Sequence, residues 1–162
     1  MQYANYFKSV YFYHAILFFC FSISLNNLIE FEYVNIVFYT LFHITIVYLS
    51  FYYFHFILFF IFFLYGIFYD IFLFNNIGPH LISFIVLLSI IFLLKKYLYH
   101  LSTYRIFYTL VVFILLIFIF EMVLADIFFN YAINFFKFFQ IGMISVILLF
   151  PIIFLFSKID KL

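Results

Sequence analysis

Long apolar stretches alternate with short polar breaks along the chain, and this pattern predicts six transmembrane helices. A span needs about 20 predominantly apolar residues, within a range of about 17–25. The six stretches are Ser9–Leu25, Tyr33–Leu49, Phe51–Phe74, Pro79–Leu94, Ile106–Leu124 and Phe139–Phe156. The fourth is the shortest, and we expect it to continue through Lys95 and Lys96, whose long side chains can reach the interface.

The second and third stretches have almost no polar break between them. As one helix, Tyr33 to Phe74 would extend roughly 60 Å, about twice the hydrocarbon thickness of a bilayer. The chain must therefore turn back. The segment "YLSFYYFHF" is the expected turn, because its tyrosines suit the membrane interface.

Basic residues are distributed unequally between the two ends of the predicted spans. Six spans put both termini on one side, and that side holds six of the seven basic residues: Lys8, Lys95, Lys96, Arg105, Lys158 and Lys161. The opposite side holds Lys137 alone. The positive-inside rule then predicts that both termini are cytoplasmic. The first span is interpreted as an uncleaved helix, since its apolar core is long and its removal would spoil this asymmetry.

Composition supports an all-α integral membrane protein. Of the 162 residues, 72% are hydrophobic and 8% are charged, whereas a soluble domain is about a quarter charged. We expect residues 1–162 to form a single polytopic domain. With a net charge of +1 and no basic run, the sequence offers no support for nucleic-acid binding. Cys20 is the single cysteine, which excludes an intramolecular disulfide and a thiolate metal cluster.

No catalytic, cofactor or metal motif is found. The five histidines are dispersed along the chain, with no HExxH pattern, and no glycine-rich phosphate loop occurs. We therefore expect no enzymatic activity and no bound cofactor or metal. Between the fifth and sixth spans, Asp126, Asn130, Asn134 and Lys137 recur at helical spacing, which predicts one or two amphipathic helical turns at the outer interface. A helix lying among the lipid headgroups is favoured over a surface that docks a partner.

Two carboxylates, Asp70 and Glu121, lie within predicted spans near their outer ends. A charge at mid-bilayer costs about 2.5–3.5 kcal/mol on insertion scales, so such residues usually face the bundle interior. Gly66 lies four residues before Asp70 and therefore on the same helix face. A glycine there lets another helix approach closely. Two roles suit Asp70 equally well: it accepts a hydrogen bond from a neighbouring helix, or it takes part in binding a ligand or partner.

The segment "NNIGPH" follows Asp70 and predicts a tight hairpin between the third and fourth spans. Asn75, Asn76 and Gly78 supply turn residues, and Pro79 suits the first position of the next helix. Asp70 should then lie just below the turn, with His80 just beyond it.

These residues form the pattern G-x-x-x-D, seven residues, then G-x-H, which resembles a segment of the rod-shape-determining MreD family. Gly66, Asp70, Gly78 and His80 occupy the matching places. The ending "ILLFPIIFLFSKIDKL" is similar to the final helix of that family, with Pro151 at its aromatic-proline position. Pro79 departs from the usual Leu.

The resemblance implies a non-enzymatic subunit of the bacterial cell-elongation machinery in the inner membrane. Its implied partners are MreC and, through MreC, MreB filaments and the RodA–transpeptidase peptidoglycan synthase. The implied fold is similar to the six-helix substrate-binding subunits of energy-coupling-factor transporters. Gly66, Asp70, Gly78, His80, Glu121 and Pro151 are the candidate structural or partner-contacting residues.

Two other functions remain open. One is a small-molecule-binding subunit of an energy-coupling-factor transporter, although the first span lacks the small-xxx-small motif that such subunits use for docking. The other is a hydrophobic subunit of a respiratory complex. Proton-relay subunits carry chains of mid-membrane acids or lysines, and the sequence offers Glu121 alone.

Overall fold

The computed structural model describes residues 2–25, 32–98, 103–130 and 135–160, and these residues are almost entirely helical. Six helices follow one another: α1 (Gln2–Ser24), α2 (Glu32–Tyr52), α3 (Ile57–Phe74), α4 (Pro79–Leu98), α5 (Thr103–Phe129) and α6 (Phe135–Ile159). Within α2, α3, α5 and α6, four segments are long and apolar enough to cross a membrane. The apolar parts of α1 and α4 are shorter. The all-helical membrane protein is therefore confirmed, whereas six spans and cytoplasmic termini stay predictions.

Helix α2 is the centre of the bundle. It packs against α1, α4, α5 and α6, and side chains such as Phe42, Ile46 and Leu49 are completely buried. Its threonine and serine side chains are buried as well, and each donates to the carbonyl four residues earlier: Thr40, Thr45 and Ser50. These hydroxyl groups therefore need no partner from another helix.

The turn between the second and third spans lies where the sequence predicts it. Helix α2 ends at Tyr52 and α3 begins at Ile57. The predicted start of the third span at Phe51 is wrong, because Phe51 still belongs to α2. His55 lies in the turn itself, where its Nδ1 accepts a hydrogen bond from the Ile57 amide at 3.3 Å.

Near the turn between α2 and α3, tyrosine hydroxyl groups bind the C-terminal end of α6. The hydroxyl groups of Tyr13, Tyr48 and Tyr53 all donate to the carboxylate of Asp160. Tyr13 comes from α1, Tyr48 from α2 and Tyr53 from the turn after α2. One carboxylate thus joins three parts of the chain.

A separate interfacial helix between the fifth and sixth spans is not found in the described residues. Asp126 belongs to α5, which continues to Phe129, and Lys137 belongs to α6. Asn130 ends α5 in a left-handed conformation with φ of 49°, and its amide donates to the Asp126 carbonyl at 2.9 Å. Asn134 lies outside the described residues. The polar residues there mark the ends of two long helices.

Candidate functional site

Helices α3 and α4 meet with their backbones in contact at Gly66. A Cβ atom added at Gly66 would lie 2.5 Å from the Leu81 Cα and 2.9 Å from the Leu81 amide nitrogen. No side chain fits in that space. The sequence prediction that Gly66 permits a close helix approach is confirmed.

Asp70 lies one turn beyond Gly66 and caps the N-terminus of α4. Its Oδ2 accepts from the amides of Gly78 at 2.8 Å and Leu81 at 3.0 Å. Its Oδ1 accepts from the His80 amide at 2.9 Å and from His80 Nδ1 at 2.8 Å. The carboxylate is completely buried, and four donors face it. Such a donor set favours the ionised form, which accepts only.

Every backbone amide in the first turn of α4 is accounted for. Pro79 occupies the first helical position and has no N–H group. The Gly78 carbonyl accepts the first helical bond, from Ile82 at 3.2 Å, which makes Gly78 the N-cap residue. Asp70 therefore satisfies the orphan donors that a local side-chain cap would otherwise take.

The hairpin turn depends on Asn75 for its left-handed residue. Asn75 has φ of 56°, and its amide donates to the Ile71 carbonyl at 3.0 Å, which closes α3. Gly78 does not have a positive φ. Gly78 matters for space instead, since an added Cβ would lie 3.3 Å from the Phe129 ring.

From His80 a chain of hydrogen bonds continues into the bundle. His80 Nε2 lies 3.0 Å from the Tyr39 hydroxyl, which donates to Glu121 Oε2 at 2.8 Å. Glu121 Oε1 lies 3.1 Å from His43 Nε2, and His43 Nδ1 lies 2.8 Å from the Tyr39 carbonyl oxygen. The side chains come from α2, α3, α4 and α5. We call Asp70, His80, Tyr39, Glu121 and His43 the polar chain.

The geometry restricts where the protons of the polar chain can lie. A carbonyl oxygen only accepts, so His43 Nδ1 carries a proton and donates. With Tyr39 donating to Glu121, the Tyr39 oxygen accepts from His80 Nε2.

Each carboxylate of the polar chain lies beside a histidine. Asp70 lies 2.8 Å from His80, and Glu121 lies 3.1 Å from His43. This pairing matters because all four side chains are at most 5% exposed, where an unpaired charge is expensive.

Five of the six candidate residues lie together at this site: Gly66, Asp70, Gly78, His80 and Glu121. Pro151 does not, since it lies within α6 on an exposed face. The histidines are dispersed along the sequence, but the fold brings two of them together. The rings of His43 and His80 lie 6.3 Å apart, and His43 lies beside Glu121.

Sequence reasoning overlooked Tyr39 and His43. Their spacing of four residues puts them on one face of α2 and is the signal that indicates a shared site. Neither residue stands out in composition, because the chain holds 16 tyrosines and 5 histidines.

A cavity of about 310 Å³ lies beside the polar chain. Tyr39, His80 and Glu121 contribute its buried polar groups, and Lys137 of α6 also lines it. The other lining side chains are apolar and come from α3, α4, α5 and α6. The volume lies at the lower end of the range for small-molecule pockets, roughly 300–1,000 Å³.

Comparisons with known proteins identify no relative. The chain matches no protein family model, and neither a curated protein nor a solved structure matches it significantly. The chemistry of the site therefore rests on the residues and their geometry.

Proposed function

We propose that the protein is a non-enzymatic membrane scaffold of the bacterial cell-elongation complex, equivalent to MreD. In this role it joins MreC in the inner membrane and, through MreC, the MreB filaments and the RodA–transpeptidase synthase. The observation that carries the proposal is the α3–α4 hairpin. Gly66, Asp70, Gly78 and His80, the residues of the MreD-like pattern, meet there in one packed unit.

Each residue of the pattern has a physical task at this hairpin. Gly66 gives room for the Leu81 backbone, and Asp70 caps α4 through Gly78 and His80. A chance match in an apolar chain carries no requirement that the matching residues contact one another. Their contact therefore supports a pattern with a structural meaning, and it suits a protein whose task is to hold a fixed shape for partners.

Replacement of Gly66 by alanine tests the proposal, with Gly142→Ala as the matched control. The Gly66 Cβ would collide with backbone, whereas a Cβ at Gly142 would lie 3.7 Å from its nearest neighbour, a Leu115 methyl group, at ordinary contact distance. We expect Gly66→Ala to lose co-purification with MreC and to fail to restore rod shape in cells depleted of their own MreD. Gly142→Ala should behave as the wild-type protein does.

The behaviour of the wild-type protein tests the proposed equivalence to MreD. If it neither co-purifies with MreC nor restores rod shape, the proposal is wrong. If Gly66→Ala retains both properties, the hairpin is not the basis of partner binding. Retention of the complex by Gly142→Ala shows that any loss in Gly66→Ala comes from the backbone contact.

A small-molecule-binding subunit of an energy-coupling-factor transporter is the second candidate. The specific observation in its favour is the cavity with Tyr39, His80 and Glu121 in its lining. Co-purification distinguishes the two candidates, because such a subunit would associate with a transporter scaffold and its ATPases and would not retain MreC.

A further inference from the structure

The geometry points to a binding site for a primary ammonium group in the cavity beside Glu121. The ammonium donates one hydrogen bond to Glu121 Oε2 and one to the Tyr39 oxygen, and its carbon chain lies along the apolar walls. This inference goes beyond the scaffold function and holds for either candidate of the preceding subsection.

A carboxylate and aromatic rings together favour a cation over a neutral ligand. Glu121 supplies the negative charge, and the rings of Tyr39, Phe118, Phe74 and Phe138 also line the cavity. Tyr39 and Phe118 are stacked with an interplanar angle of 24°. Aromatic faces attract cations, and the attraction grows as water is excluded.

A bound ammonium lies beside the hydrogen bond between Tyr39 and Glu121. The Tyr39 hydroxyl donates to Glu121 Oε2 at 2.8 Å, and both residues line the cavity. Each of the two oxygens keeps a lone pair that accepts a further donor.

Other titratable groups face Glu121 from each neighbouring helix. His43 and Tyr39 lie on α2, and His80, paired with Asp70 of α3, lies on α4. Lys137 of α6 lines the same cavity and adds a positive charge.

Two sources supply this chemistry, a soluble alkylamine and the headgroup of phosphatidylethanolamine. The first test uses the full-length protein in phosphatidylcholine nanodiscs, where the lipid headgroup has no N–H donor. Isothermal titration compares n-butylamine with butan-1-ol, a neutral probe of the same size. We expect butylamine to bind at least about tenfold more tightly than butan-1-ol, because its ammonium group makes a charge-assisted hydrogen bond to Glu121. Equal binding of the two probes by the wild-type protein would overturn the proposal.

Variants then locate the site. Glu121→Gln should lose the preference for butylamine over butan-1-ol, while Asp126→Asn, an exposed carboxylate on the same helix, should retain it. If Glu121→Gln does not fold, Tyr39→Phe serves instead, since it removes one acceptor and keeps the ring. Full retention of the preference in a folded Glu121→Gln or Tyr39→Phe contradicts the assignment.

Native mass spectrometry separates the two sources. In nanodiscs of mixed lipids, retention of phosphatidylethanolamine over phosphatidylcholine by the wild-type protein, lost in Glu121→Gln, identifies a lipid headgroup. If the protein binds butylamine but retains the two lipids equally, the ligand is a soluble amine. Neither preference appearing would show that the cavity holds no ammonium group.

Discussion

Replacement of Asp70 by asparagine should destabilise the protein strongly, because the carboxylate satisfies four donors at once. Asparagine keeps the shape of the side chain but converts one acceptor oxygen into an NH₂ donor. If the NH₂ group replaces Oδ2, it faces the amides of Gly78 and Leu81. If it replaces Oδ1, it faces the His80 amide and the His80 ring.

The magnitude follows from the donors left without a partner. Each orphaned buried donor costs about 1–3 kcal/mol, so two of them cost about 2–6 kcal/mol. Loss of the Asp70 charge also removes one partner of the buried Asp70–His80 pair. Breaking one partner of a buried ion pair costs about 3–5 kcal/mol. We therefore expect Asp70→Asn to lower the free energy of unfolding by about 3–5 kcal/mol.

Titration of mixed micelles with SDS measures this free energy, with unfolding followed by energy transfer between probes on α3 and α6. Asp126→Asn is the control, because the exposed side chain of Asp126 should tolerate the change within about 0.5 kcal/mol. An Asp70→Asn variant as stable as Asp126→Asn would refute the capping role of Asp70.

Three further predictions concern the turn, the end of α6 and the topology. Asn75→Ala should destabilise by about 1 kcal/mol, because alanine resists the left-handed conformation, whereas Asn75→Gly should be neutral; SDS titration compares the two. Asp160→Asn should weaken the attachment of α6 to Tyr13 and Tyr48, seen as faster hydrogen exchange in the last turn of α6 with unchanged exchange in α3. Reporter fusions at both termini should give cytoplasmic signals, and an external C-terminus would contradict the six-span topology.

The hairpin could be predicted from the sequence because its determinants are local. Gly66, Asp70, Asn75 and Pro79 lie within 14 residues, and helix periodicity together with turn chemistry relates them directly. The sequence analysis did not choose the left-handed residue among the turn residues, and in the structure Asn75 has the positive φ whereas Gly78 does not. Asparagine and glycine both tolerate that conformation, so composition alone does not choose between them.

The polar chain could not be predicted in the same way. Tyr39 and Glu121 are 82 residues apart, and His43 and Glu121 are 78 apart. Their contact depends on which faces of α2 and α5 meet, and both helices are apolar nearly all round. A uniformly apolar helix gives little indication of its packing face. The cost of a buried carboxylate indicates that Glu121 needs a partner but does not identify it.

Two hydrogen-bonded networks hold α2 at different points along its length. The polar chain includes Tyr39 and His43, and His43 lies close to the middle of α2. The carboxylate of Asp160 accepts from Tyr48, about one and a half turns further along the same helix. A helix that is joined to its neighbours at two levels keeps a fixed position, as a scaffold requires.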